Sequence, residues 1–235
     1  MARWEDSPRG FEAVALNSTR ITDKVTTHKY QEMYGRLLLP FLRRMHNAKK
    51  SVKFLEIGLG CGMHYGEGAS VSLWQRFLLD SDELWEADHD AVCVANAQKK
   101  GSISKRVRVL VGDQSNKTDL TRWVRESGGR FSIIVDDGGH GNDMIKNSFD
   151  VLWESLMPGG LYFIEDLSFS RSKFFDPKSQ FIFVDVVKDW MEQLLTPETK
   201  SVTYKVPRGL KWILCQYEAC VFAKCDVADV ARCSS

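Results

Sequence analysis

The sequence predicts an α/β fold: a doubly wound, mainly parallel sheet with an antiparallel C-terminal hairpin strand. Three observations lead there. Short apolar, β-branched runs alternate with helical periodicity through the middle of the chain. A glycine-rich segment follows the first such run. Acidic residues gather where the later runs end, which is where open α/β sheets bind their ligands.

The elements follow in order. "SVKFLEIG" is a strand, and after the glycines "SVSLWQRFLL" is a helix. "ELWEA" is a second strand and "AVCVANAQKK" a second helix, ended by Gly101. "RVRVLVG" alternates as a third strand, and "KTDLTRWVRES" is a third helix stopped by Gly128 and Gly129. "FSIIVDD" and "NDMIKNSFDVLWESL" form the fourth pair, and "PGGLYFIED" opens with a turn and closes as a fifth strand. Past Asp166, "LSFSRSKFFDPKSQ" reads as a loop over the sheet's working edge. "FIFVDVVKDWMEQLL" reads as a helix whose opening apolar run is ambiguous with a strand. "SVTYKV", then "PRG", then "LKWILCQYEACVFAK" reads as an antiparallel hairpin, which gives the sheet its antiparallel edge. Upstream, "DKVTTHKYQEMYGRLLLPFLRRM" is an amphipathic helical stretch, and the first twenty residues carry no clear signal.

The 235 residues suit one domain, with 1–50 as a cap or lid segment, 51–224 as the core and 225–235 as a flexible tail. The 32 basic and 31 acidic residues nearly cancel, so no nucleic-acid partner is expected. No apolar run approaches the ~20 residues that span a bilayer, so no membrane partner is expected either. The opening "MARWEDSPRGFEAV" lacks the apolar core of a secretory leader, and the expected location is cytoplasmic. None of the six cysteines forms a CxxC pair, which leaves a zinc ribbon without support. The expectation for that compartment is reduced thiols, with pairing open among the four crowded near the C-terminus.

"EIGLGCGMHYGEGAS" sets Glu56 before Gly58, Gly60, Gly62, Gly66 and Gly68. A plain βα turn needs fewer glycines, so this is a binding loop where the backbone approaches a ligand. The dinucleotide spacing G-x-G-x-x-G is not met, and no P-loop is present. Acid-x-Gly-x-Gly-x-Gly resembles the first motif of the class I methyltransferases that use S-adenosylmethionine, and it implies a Rossmann-like sheet. The ammonium and sulfonium groups of that ligand suit a carboxylate and backbone carbonyls. By the same resemblance Asp88 would hold the ribose hydroxyls, with Glu86 and Asp90 as neighbouring alternatives. Asp113 and Gln114, in "VGDQSN", would face the adenine, and Asp136 joins the cofactor set.

The fourth strand ends Asp136-Asp137-Gly138-Gly139-His140 and the fifth ends Glu165-Asp166. Carboxylates of Asp137, Glu165 and Asp166 converging on one rim would repel unless a cation neutralised them. Oxygen ligands suit a hard ion such as Mg²⁺. Histidine as a residue type titrates near neutrality, so an imidazole at position 140 can take a proton from a substrate hydroxyl. Together "EIGLGCGMHYGEGASVSLW", "VGDQSN", "FSIIVDDGGH" and "PGGLYFIEDL" resemble the metal-dependent macrolide sugar (mycinose-pathway) O-methyltransferases. That resemblance runs from about Thr22 to Leu167. It implies Asp137, Glu165 and Asp166 as metal ligands and His140 as general base, with Asp137 also counted catalytic. Where those enzymes have Asp-Asp-Gly-Ser-His, Gly139 replaces the serine here. The early "TDKVTTHKYQEMY" resembles a segment that folds over the cofactor, making Lys24 and Tyr30, with Asp23 and His28, candidates for a lid.

The expected function is therefore S-adenosylmethionine-dependent O-methyl transfer to a hydroxyl of a small molecule or glycoside, assisted by Mg²⁺. The chain would act as a monomer or a homo-oligomer. A catechol-type acceptor, a hydroxylase-like relative of the same fold and a non-catalytic cofactor-binding module are the competing readings.

Overall fold

A computed structural model describes residues 4–176, 179–198 and 202–227. The chain divides into two compact units, Met1–Gly112 and Asp113–Ser235.

Unit 1 opens with α1 (Pro8–Leu16), in the stretch that carried no signal in the sequence. The Ser7 side chain accepts the Gly10 N–H at 3.0 Å, and Pro8 occupies the first turn, where a missing N–H costs nothing. The single amphipathic helix expected over 23–45 is corrected. The segment breaks into α2 (Asp23–Thr26), α3 (Gln31–Met33), a π turn (Tyr34–Leu38) and α4 (Leu39–Asn47). Pro40 has no N–H to offer the preceding turn, and the helix widens just ahead of it. A Cβ on Gly35 would lie 2.4 Å from the Pro8 nitrogen, so α1 and the π turn meet backbone to backbone only because residue 35 is glycine. That approach stacks Phe11 on Tyr34 at 5.2 Å and on Phe77 at 5.4 Å, with Trp74 filling the corner.

This aromatic core backs β1 (Lys53–Ile57), followed by α5 (Ala69–Phe77), β2 (Glu83–Asp88), α6 (Ala91–Lys100) and β3 (Arg108–Val111). The strands pair in parallel in the order β3-β2-β1. Asp90 caps α6 through the N–H groups of Val92 and Cys93, and Gly101 in the left-handed region ends it.

Unit 2 runs α7 (Lys117–Ser127), β4 (Phe131–Asp136), α8 (Asn142–Ser155), β5 (Leu156–Ile164), a 3₁₀ turn (Leu167–Arg171), α9 (Phe183–Leu195), β6 (Leu210–Gln216) and β7 (Ala219–Lys224). β4 and β5 are parallel, and β7 and β6 add antiparallel in the order β4-β5-β7-β6. Every residue of β4 is buried, as befits a strand covered on both faces. Phe149 of α8 is the hub of the core, with Trp153, Tyr162, Trp190 and Phe222 all within 5.1 Å between ring centres. The mainly parallel α/β fold with antiparallel C-terminal strands is the expected one.

The helix expected over "FIFVDVVKDWMEQLL" forms as α9, whose first residue is Phe183. Two expectations change. Residues 202–209 form no strand, and the hairpin lies wholly within "LKWILCQYEACVFAK". The backbone of 203–206 is satisfied by α9 instead: Asp189 accepts the Thr203 and Tyr204 N–H groups, and Gln193 grips the Tyr204 carbonyl and the Val206 N–H. The reduced-thiol expectation is also overturned. Cys61 bonds to Cys93, Cys215 bonds to Cys220 across the β6–β7 turn, and no described cysteine is free. From residue 228 onward the tail expected to be flexible lies outside the described residues.

Candidate active site

In unit 1 the β1–β2 register sets Glu56 opposite Glu86 and Ile57 opposite Ala87. The chain then leaves β1 through a loop whose glycines 58, 60, 62, 66 and 68 all have positive φ. Nothing lies within 4 Å of where a Cβ on Gly62 would be, so the loop's backbone is open to a ligand. Asp88, at the end of β2, accepts the Leu59 N–H at 3.0 Å through one oxygen and the Asp90 N–H at 2.9 Å through the other. His89 Nδ1 lies 3.4 Å from the latter oxygen, while the former keeps a second lone pair that suits a ribose hydroxyl.

Glu56 is fully buried, accepting the Ser70 hydroxyl at 2.6 Å and facing Lys24 Nζ at 3.4 Å. Lys24 is itself fully buried, and Tyr30 is 1% exposed and stacks on His28 at 4.9 Å. The segment read as a lid is thus packed onto the floor of the loop. Burial first, and the Glu56 carboxylate second, push Glu86 well above the usual carboxylate range. Two acids and one lysine are therefore near neutral when Glu86 keeps its proton.

In unit 2, Asp136 pairs with Ile164, so Asp137 and Glu165 leave the sheet at one level. The Glu165 N–H donates to the Asp136 carbonyl at 3.0 Å. Asp166 takes φ +56°, a left-handed conformation that an aspartate tolerates better than most residues, and starts the 3₁₀ turn. The result is a compact group: Asp137, His140 and Asp166 each offer one ligand atom, all within 4.8 Å of one another. His140 Nε2 lies 3.5 Å from Asp166 Oδ2. Glu165 stands outside this group and is 2% exposed. The trio brought together is thus two carboxylates and an imidazole, rather than the three carboxylates expected from the sequence. The two carboxylates fit a hard divalent ion with its remaining positions left for water or substrate oxygens, and the imidazole lies within reach of the same space.

Asp136 and Gln114, expected to touch the cofactor, form an internal network. Gln114 Nε2 donates to Asp136 Oδ1 at 2.7 Å, while its Oε1 accepts the Gly139 N–H at 2.8 Å. Ser148 and Tyr162 donate to the other Asp136 oxygen. Burial pushes Asp136 up to about 6 despite these bonds. Gln114 thereby fixes the turn that carries His140. Asp113 is exposed and accepts the Ser115 N–H at 2.7 Å, a turn ahead of α7. Where a serine was expected, a Cβ on Gly139 would meet Met144 Sδ at 2.4 Å, so this turn and that methionine fit each other.

Sequence reasoning missed Ser70, Ser148 and Tyr162. Ser148 had a signal: it interrupts the apolar stripe Ile145–Phe149–Leu152 of a buried helix.

No protein-family model matches the chain. It is 34% identical over 120 residues to demethylmacrocin O-methyltransferase of Streptomyces fradiae, an alignment covering 50% of this chain and 28% of that protein. Mycinamicin VI 2''-O-methyltransferase of Micromonospora griseorubida is 34% identical over 121 residues, with the same coverage of 50% and 28%. An 8-demethyl-8-alpha-L-rhamnosyl tetracenomycin-C 2'-O-methyltransferase of Streptomyces olivaceus is 31% identical over 153 residues, covering 63% of this chain and 36% of that one. Among solved structures, the MycE methyltransferase of the mycinamycin pathway, in complex with Mg, SAH and mycinamycin VI, superposes with a TM-score of 0.73 at 23% identity. That match covers 96% of this chain and 56% of MycE, and it shows a shared fold. The chain thus spans little more than half of MycE and aligns with about a third or less of the curated relatives. The resemblance read from the motifs to macrolide sugar O-methyltransferases is borne out by these relatives.

Proposed function

We propose that the chain is an S-adenosylmethionine-dependent O-methyltransferase acting on a sugar hydroxyl of a glycosylated natural product. The observation that carries it is the Asp137–His140–Asp166 group at the ends of β4 and β5. The open glycine loop beside Asp88 supports it, as do relatives that methylate macrolide and tetracenomycin sugars. We read 1–50 as a cap segment and 51–224 as the catalytic core.

In this reading Glu56, Asp88 and the loop glycines Gly58 and Gly60 bind the cofactor, whose sulfonium supplies an electrophilic methyl group. Lys24 and Tyr30 close the floor beneath it. Asp137 and Asp166 would hold a Mg²⁺ ion, which supplies Lewis-acid polarisation of the acceptor hydroxyl. Glu165, which follows β5 and is 2% exposed, is kept as a proposed third metal ligand. His140 takes the hydroxyl proton, and Asp166 steadies the imidazolium that results. The oxygen then attacks the sulfonium methyl carbon in line, the C–S bond breaks and S-adenosylhomocysteine leaves as the neutral thioether, with the acceptor held by Phe169 and Phe175, whose rings lie 5.4 and 5.9 Å from the imidazole. Asp136 and Gln114 keep the His140 turn in place, and Asp113 holds the turn into α7.

No described helix is long and apolar enough to cross a membrane. Cytoplasmic residence and assembly as a homo-oligomer belong to the same proposal. The two disulfides among the described residues pull against a reducing compartment, so alkylation of thiols in fresh extracts is the check on location.

The decisive experiment follows methyl transfer from S-adenosylmethionine to mycinamicin VI, demethylmacrocin and catechol, each with and without Mg²⁺. Transfer to a glycoside, stimulated by Mg²⁺ and abolished in His140→Asn with cofactor affinity intact, is expected. Binding of S-adenosylmethionine with no transfer to any acceptor would leave a non-catalytic module. Transfer to catechol alone would replace the acceptor class.

A further inference from the structure

Asn142 is the first residue of α8, two positions after His140, and it is 2% exposed. An asparagine there reads in sequence as a helix-start residue. Its side chain does not cap its own helix and is spent on other parts of the fold. Nδ2 donates to the Ser170 carbonyl at 3.0 Å, and Oδ1 accepts the Phe183 N–H at 2.7 Å. Its own backbone N–H donates to Asp176 Oδ2 at 2.6 Å. Gly141 has no side chain to cap α8, so Asp176 supplies that cap from a distant loop.

Three segments therefore converge on one residue: the 3₁₀ turn after Asp166, the start of α9 and the loop that carries Asp176. The first and third carry Phe169, Phe174 and Phe175. Phe169 and Phe175 lie 4.2 Å apart, and both face the His140 ring. Phe174 is 87% exposed and Phe175 41%, so burial does little to hold the end of this wall in place. The hydrogen bonds at Asn142 do.

We infer that Asn142 is a positioning residue for the acceptor, holding the Phe169–Phe175 wall against His140 through Ser170 and Asp176. The inference rests on the proposed reading of His140 as the base beside the acceptor, but its geometry can be tested without turnover. An isosteric Asn142→Asp loses the donor to Ser170 and keeps an acceptor for Phe183. Asp176→Ala releases the other end of the wall and leaves Asn142 in place.

The experiment reads the His140 imidazole proton resonances by NMR, assigned by their absence in His140→Asn. Ring currents from the two phenylalanines displace these resonances from the position of a solvent-exposed histidine. In Asn142→Asp and in Asp176→Ala they should return toward that position. The KM for mycinamicin VI should rise at least tenfold, with S-adenosylhomocysteine affinity unchanged within twofold. Leu152→Ala, a core truncation away from the wall, should destabilise unit 2 and leave the His140 resonances where they are. Unmoved resonances in both wall variants would overturn the inference, as would an equal movement in Leu152→Ala. Wild-type protein that transfers no methyl group while the resonances still respond would sink the proposed function and leave the positioning role standing.

Discussion

Replacing Lys24 with methionine tests the floor of the cofactor loop. The substitution keeps the length of the side chain and removes the charge. Lys24 Nζ lies 3.4 Å from Glu56 Oε1, and neither side chain is more than 1% exposed. At an effective dielectric near 20, such a contact is worth about 5 kcal/mol before desolvation is counted. Removing one member of a buried pair costs roughly 3–5 kcal/mol, because the survivor stays buried and charged. Glu86, which faces Glu56 across the strands and keeps its proton, adds no second charge to this cost. Lys24→Met should therefore lose about 4 kcal/mol in urea unfolding at pH 7, followed by tryptophan fluorescence. Lys24→Met/Glu56→Gln should recover about half of that. The sign with pH is fixed as well. The deficit comes from an uncompensated buried carboxylate, so it should be full while Glu56 is ionised and shrink as acid neutralises it. A single variant that loses less than about 1 kcal/mol at pH 7, or a double variant no more stable than the single one, refutes the reasoning.

Other outcomes are expected. Glu86 is raised above its unfolded pKa, so its contribution to stability is present in acid and falls as pH climbs through the folded value. Glu86→Gln should flatten that fall in a series of urea titrations from pH 4 to 8, and an unchanged slope would count against the buried proton. Mg²⁺ should raise the melting temperature of the wild type, by about 2.7 kcal/mol of stabilisation at a hundredfold excess over Kd, and a chelator should reverse it. Asp137→Asn and Asp166→Asn should show no such response in differential scanning calorimetry. The Cys61–Cys93 bond closes a separation of 32 residues, so reducing it should cost about 3–4 kcal/mol. Cys61→Ser/Cys93→Ser should match the reduced wild type, and a loss under about 0.5 kcal/mol would show that the loop is held by other contacts.

Much of the candidate site was legible because it is local. Asp136, Asp137 and His140 lie within five positions, and Glu165 and Asp166 are neighbours, so a strand ending at each place brings them near one rim. The exchange of Glu165 for His140 in the clustered trio was not legible. It depends on the left-handed turn at Asp166, which redirects the chain after β5 and leaves Glu165 in the interior. The place of Gln114 at a strand end was legible, while the bonds of its amide to Asp136 and Gly139 were not. The "SVTYKV" strand failed because β-propensity says nothing about whether a partner strand is in reach, and Asp189 and Gln193 satisfied that backbone first.

By itself the sequence determined the alternation of strand and helix, the glycine loop and the acidic strand ends. Those features rest on spacing within a few residues. The tertiary structure alone decided that Cys61 meets Cys93, that Lys24 lies under Glu56 and that Asn142 joins three distant segments. Such meetings depend on strand register and on the path of loops, which bring residues tens of positions apart within bonding distance and leave no periodic trace along the chain.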